Sequence, residues 1–118
     1  MIYLATPYTV SGTASPKQME QHFAACAICT ARLMREQSQL IYAPILHGRP
    51  IEVYGGAPAT WEYWRSYDKQ WIRQCHEVYV LARPGWRESV GVQDEIDFAI
   101  SLDKQVRILP AYYGDLLS

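Results

Sequence analysis

The chain has little with which to cross-link itself. Three cysteines in 118 residues cannot close into a full set of disulfides, so a reducing, cytoplasmic setting is expected. It also lacks an excess of either charge. Eleven Lys and Arg against 12 Asp and Glu leave −1, which excludes the strong field that a nucleic-acid polymer or an anionic membrane surface would require. Apolar runs are short: none approaches the ~20 residues of a membrane span, and no basic-then-apolar leader is expected before Ile2. There is no repeat, no low-complexity tract and no block of like charge. What the chain has in quantity is material to bury. Hydrophobic residues make up 49%, with nine Tyr, four Trp and two Phe, so the chain is not disordered. One soluble domain is expected, because cores are built in units of about 100–150 residues.

Ile2-Tyr3-Leu4-Ala5 is apolar without alternation and stops at Thr6-Pro7, which reads as a strand buried on both faces. Ser15-Pro16 reads as an N-cap with proline in the first turn. Met19, Phe23, Cys26, Ala27, Thr30, Leu33 and Met34 then recur at helical spacing, predicting a helix over 16–38. Residues 40–43 predict a second strand, ended by Pro44. Gly48, Pro50, Gly55, Gly56 and Pro58 mark 45–59 as the one long loop, and such loops are more often functional than idle. A helix over 60–75, a strand over 78–82, a helix over 89–102 and a strand over 106–109 complete the pattern. Strands separated by helices of this length pair in parallel with right-handed crossovers. The expected fold is α/β, a small doubly wound, flavodoxin-like sheet of four to five strands in the order 2-1-3-4, with helices on both faces. Ligands bind such sheets at the carboxyl ends of the strands where the order reverses. Here those ends are Tyr3–Tyr8, Ala43–His47 and Ala82–Ser89.

Two carboxylates fall on helix faces that should be apolar. At about 100° per residue, Trp61, Trp64, Trp71, Ile72 and Cys75 share an arc with Asp68, while Arg65, Lys69 and Arg73 point away. In the last helix Val92, Ile96, Phe98, Ala99 and Leu102 form the inward stripe with Glu95 inside it, and Asp94, Asp97 and Ser101 lie outside. A buried, unpaired carboxylate costs on the order of several kcal/mol. Each acid therefore either pairs with an arginine or loop amide at a helix edge, or belongs to a site. Ser89 can cap the last helix and Gly91 lets a ligand approach its backbone. The free amides and the dipole there favour an anion, either a phosphate or an ionised Glu95.

The segments Tyr3-Leu4-Ala5-x-Pro7-Tyr8, Asp68, and Ser89-x-Gly91-Val92-x-x-Glu95-x-x-x-Ala99 resemble the nucleoside 2-deoxyribosyltransferase superfamily. That superfamily includes 2'-deoxynucleoside 5'-monophosphate N-glycosidases. The likeness spans nearly the whole chain and is nearest to a branch of short bacterial and phage proteins sharing the Pro-Gly-Trp before Ser89. The resemblance implies that Glu95 attacks C1' of the sugar, that Tyr3 positions it, and that Asp68 assists at the base or orients the sugar. It further implies that Ser89, standing where members acting on free nucleosides carry an acid, suits a 5'-phosphate, with Arg87 as an extra phosphate contact. Members form homo-oligomers with sites completed by a neighbour near the C-terminus. In this chain Ala5-Thr6-Pro7 replaces the usual Gly-containing segment, and Ala111-Tyr112-Tyr113-Gly114-Asp115 offers no match to the completing residue.

Other residues read more plainly. Cys26-x-x-Cys29 lies mid-helix with no second pair, which favours core packing over a redox or zinc role. His22 and His76 fall on helix surfaces. His47 follows a strand end and is either a substrate contact or a loop residue. Trp86 either stacks on a base or packs its loop, and Tyr8 borders the same pocket. Tyr63 and Tyr67 widen the apolar arc beyond one sheet face, as a subunit interface would. The expectation is an enzyme that cleaves or exchanges the N-glycosidic bond of a (deoxy)nucleoside 5'-monophosphate through a covalent glycosyl-glutamate, without metal or organic cofactor. Two rivals keep the fold: a nucleotide-binding module without turnover, and a protein-interaction domain without a pocket.

Overall fold

A computed structural model describes residues 1–9 and 14–116. Four strands, β1 (Ile2–Ala5), β2 (Ile41–Tyr42), β3 (Glu77–Leu81) and β4 (Gln105–Leu109), pair in parallel in the order β2-β1-β3-β4. The helices are α1 (Pro16–Glu36), α2 (Pro44–Gly55), α3 (Trp61–Gln74) and α4 (Val90–Ser101). Beyond β4 a 3-10 turn, Ala111–Gly114, replaces any fifth strand among the described residues. The doubly wound α/β sheet expected from the alternation of elements is thus the fold.

Side-chain alternation along β1 and β3 divides the core in two. Ile2, Leu4, Tyr79 and Leu81 pack with Ala25, Cys26, Cys29 and Leu33 of α1. Tyr3, Ala5, Val78 and Val80 point to the opposite face, against Ile72 of α3 and Val92 and Ala99 of α4. All four β1 residues are fully buried, the condition their unbroken apolar run suggested. The only polar group on β1 is therefore the Tyr3 hydroxyl, delivered to the α3–α4 side.

Ser15 caps α1 by accepting from Gln18 N at 3.1 Å, and Gln18 returns the bond to Ser15 N at 2.9 Å. This reciprocal pair satisfies amides that the first turn leaves open. The helix ends two residues earlier than expected, at Glu36. Its buried stripe is Ala25, Cys26, Cys29 and Leu33, while Met34 is 65% exposed. Cys26 and Cys29 are free and buried, and burial pushes their thiols up to about 11 and about 12. They fill space, as expected of a mid-helix pair. Among the described residues no helix is long and apolar enough to cross a membrane.

The largest correction concerns 45–59. Most of this stretch is helix α2 rather than loop. Pro44 occupies the first helical turn, where no amide is needed, and Gly56 ends the helix at φ +75, in the left-handed cap that glycine favours. Pro50 sits inside the helix and Gly48 is buried beside Trp64. The residues that read as loop punctuation are the start, stop and packing residues of a short helix. Strand β2 is correspondingly shorter than 40–43, because the chain turns into α2 at Pro44.

Candidate active site

A cavity of about 450 Å³ opens at the carboxyl ends of the strands, where β1 lies between neighbours running to opposite sides. Thr6 and Tyr8 follow β1, Pro44 and Ile45 follow β2, and Ser89 follows β3, so all three strand exits line it. That is the crevice a doubly wound sheet leaves open, and its volume falls among small-molecule pockets of roughly 300–1,000 Å³.

Helix α4 enters the cavity amide-first. Ser89 is buried and its hydroxyl accepts from Val92 N at 3.2 Å, capping the helix. The amides of Val90 and Gly91 lie in the first turn, which has no intrahelical acceptor. Gly91 faces Trp61 across the gap between α4 and α3, its Cβ position 3.4 Å from Trp61 Cδ1. One turn further on, Glu95 is half-buried and accepts a hydrogen bond from the Tyr3 hydroxyl. Tyr3 itself is fully buried and does not line the cavity, so it reaches a ligand only through Glu95.

Asp68 lines the cavity from α3. Burial pushes it up to about 7, and the nearby Glu52 charge acts in the same direction. Glu95 is pushed up to about 8, first by burial and then by the Asp68 charge, while the bond from Tyr3 works in the opposite sense. Burial and these same carboxyls hold the Tyr3 phenol well above its ordinary value, so it stays a neutral donor. Such groups are best described as a pair holding one proton between pH 7 and 8. Neither acid has an arginine or lysine partner among the described ion pairs, which removes the helix-edge pairing considered for them.

Several other residues sit differently from expectation. Asp94 is not on an outer face: it turns to α3 and meets Lys69 Nζ at 3.3 Å and Arg65 Nε at 3.6 Å. Arg65 and Lys69 therefore bridge to α4 instead of pointing away. Arg65 also stacks over Trp61, 5.0 Å from the ring centre, which places a guanidinium at the cavity wall. Arg87, by contrast, lies outside the cavity with its guanidinium over Trp86. Trp86 packs against the α3–α4 side of the core, and its carbonyl accepts from Gln93 Nε2 at 3.1 Å, so it supports its loop. His47 also lies outside: α2 turns its ring to Tyr67, stacked at 5.5 Å and hydrogen-bonded at 2.8 Å. His22 is half-buried rather than solvated, whereas His76 is exposed and meets the N-terminal amine at 3.1 Å. Tyr63 remains 53% exposed. Tyr3, Asp68, Ser89, Gly91 and Glu95 do converge, and Tyr8 joins them.

The residues that sequence reasoning missed are Glu52, Arg65 and Trp61. Glu52 was hidden by reading α2 as loop. Arg65 was hidden because helical periodicity sorts residues by polarity, while its long stem carries the charge around the helix edge. Trp61 carries a buried indole N–H with no partner, on the cavity wall. Among the described residues no group of three or more His, Cys, Asp or Glu side chains is arranged to hold a metal ion.

The chain belongs to the family described as a domain of unknown function, DUF1937, which it matches over residues 1–110. No match was found among curated proteins.

Proposed function

We propose that this protein cleaves or exchanges the N-glycosidic bond of a (deoxy)nucleoside 5'-monophosphate through a covalent intermediate on Glu95. The observation that carries the reading is the pair Asp68 and Glu95, from separate helices, in one cavity that raises both acids. In the first step the Glu95 carboxylate attacks C1' as the C1'–N bond breaks. The departing base takes its proton from Asp68. In the second step Asp68, now a carboxylate, removes a proton from water as the water attacks C1', and the Glu95 ester is released. A second base in place of water gives exchange. Tyr3 is a positioning residue, because it touches Glu95 and not the cavity.

The 5'-phosphate is assigned to the α4 end, with the Val90 and Gly91 amides and the Arg65 guanidinium as its partners. Arg65 takes the role expected of Arg87. Five acidic residues line the cavity against this one arginine, and that excess favours a second reading in which the uncharged nucleoside is taken. A cytoplasmic setting is inferred from the three free thiols, and self-association from the exposed α2–α3 face around Tyr54 and Tyr63.

The test is to incubate the protein with deoxynucleosides, ribonucleosides and their monophosphates, and to score free base by chromatography. Release by the wild type and none by Glu95→Ala is expected. Equal release by the two proteins overturns the assignment. Ligand-induced stabilisation without any release favours the binding module instead, because ligands that bind only the folded state raise its melting temperature.

A further inference from the structure

One large side chain reaches the cavity from outside a helix. Thr6, Tyr8, Thr9, Ala59, Thr60 and Ser89 line it from irregular chain, and among them only Tyr8 is bulky. No helical or strand ladder holds Tyr8, so its placement leans on what its hydroxyl binds. That hydroxyl donates to Glu52 Oε1 at 3.3 Å and accepts from Arg49 Nη1 at 3.1 Å. Glu52 is itself seated by hydrogen bonds from Tyr8 and Trp64.

Arg49 makes three contacts at once. From α2, its Nη1 meets Tyr8, its Nη2 donates to Glu20 of α1 at 2.5 Å, and its flat face lies over the Phe23 ring, 5.0 Å from the centre. The guanidinium thereby ties α1 and α2 to the chain that follows β1. A rigid fork with separate donors and a stacking face can do this, and a lysine ammonium cannot. The pair with Glu20 contributes little to stability on its own, because the Glu20 side chain is 60% exposed. Nor does Arg49 line the cavity, so it touches no ligand there. What it holds is Tyr8.

We propose that Arg49 is a positioning residue, fixing the Tyr8 ring as a cavity wall before the ligand arrives; this rests on the glycosidic reading above. A side chain already ordered in the empty protein does not have to be ordered by the ligand, and affinity rises accordingly. Without Arg49 the Tyr8 hydroxyl keeps only its long bond to Glu52. Asp68 and Glu95 have no hydrogen bond or ion pair with Arg49 among the described residues. Its loss therefore weakens binding and spares the chemical step.

The test compares wild type, Arg49→Met, Arg49→Lys, Tyr8→Phe and the double variant Tyr8→Phe with Arg49→Met, scoring base release from the four common deoxynucleoside 5'-monophosphates. Arg49→Met is expected to raise KM about threefold to tenfold, the effect of ordering one side chain on binding. Its kcat should stay within about twofold, the mark of lost uniform binding. Arg49→Lys should raise KM as much, since it keeps the charge and loses the fork. In the double variant the two changes should not add, because both cut the same tie. Restoration of KM by lysine, a fall in kcat at constant KM, or additive effects overturns the proposal. Amide exchange followed by nuclear magnetic resonance supplies a readout that needs no substrate. Both Arg49 variants should exchange faster at Tyr8 and Thr9 and as before at Leu4 and Val80. Unchanged exchange at Tyr8 overturns the positioning role and leaves the glycosidic reading standing. Faster exchange there, with no base release and no melting-temperature shift from any nucleotide, sinks the glycosidic reading and sustains Arg49 as the residue that holds this wall. Should Arg49→Met fail to fold, Arg49→Lys is read in its place.

Discussion

Replacing Glu95 with glutamine should make the protein more stable at neutral pH while abolishing its chemistry. The carboxyl ordinarily titrates at 4.5 and is pushed up to about 8 in the folded chain. Between those values the native state holds a proton that the unfolded chain releases, so stability falls as pH rises through the window. At pH 7 the linkage ceiling is roughly 3 kcal/mol, from about 1.36 kcal/mol per pH step. Glu95 is only half-buried, and water at the cavity mouth screens part of this cost, leaving about 1–2 kcal/mol. Glutamine keeps the shape and still accepts from Tyr3, but it never ionises. For a domain of this size the gain corresponds to roughly 4–8 °C in melting temperature. Calorimetry of both proteins from pH 4 to 8.5 measures it directly. The two curves should coincide near pH 4 and separate steadily above pH 5. A separation independent of pH, or a variant that melts lower at pH 7, would refute the account of Glu95 as an acid whose ionisation its surroundings oppose.

The same pair governs rate. Turnover needs Glu95 ionised and Asp68 protonated, which is the minor arrangement of the pair's single proton because Glu95 titrates above Asp68, so base release should trace a low bell with its maximum at about pH 7.5, between apparent values of about 7 and about 8. In Asp68→Asn the proton donor is absent, and the profile should be far lower and lose its fall at high pH; a bell of unchanged shape would remove Asp68 from the chemistry. Away from the cavity, Gly114→Ala should destabilise the fold by about 1–3 kcal/mol, since its Cβ would meet Ala25 Cβ at 2.9 Å, Ala25 O at 3.2 Å and Leu81 Cδ2 at 3.2 Å. Denaturant melts check this, and an unchanged midpoint contradicts the contact geometry.

Strong local patterns carried the fold. Unbroken apolar runs at Ile2–Ala5 and Val78–Leu81 could only be buried strands, and the spacing of Trp61, Trp71 and Ile72 could only be a helix with one covered face. Asp68 and Glu95 were legible for the opposite reason: each broke the polarity pattern of its own helix. Helix α2 was not, because its identity rests on tertiary contacts. Gly48 lies buried beside Trp64, and Pro44 and Gly56 bound the helix as its start and its left-handed cap. The positions of Arg87 and Arg65 relative to the cavity were not legible for a related reason. Both flank the α4 end, but only packing decides that one guanidinium settles on Trp86 and the other on Trp61.

The bond between Tyr3 and Glu95 joins residues 92 apart in sequence, and it has a kinetic meaning. The cavity draws its lining from the segments after β1, β2 and β3 and from α2, α3 and α4, so it is complete only once the first strand has met α4. Long-range parallel pairing of this sort closes late. Recovery of ligand binding after dilution from denaturant would therefore time the final step of folding rather than the formation of helices, and a nascent chain still short of α4 would have no pocket to offer.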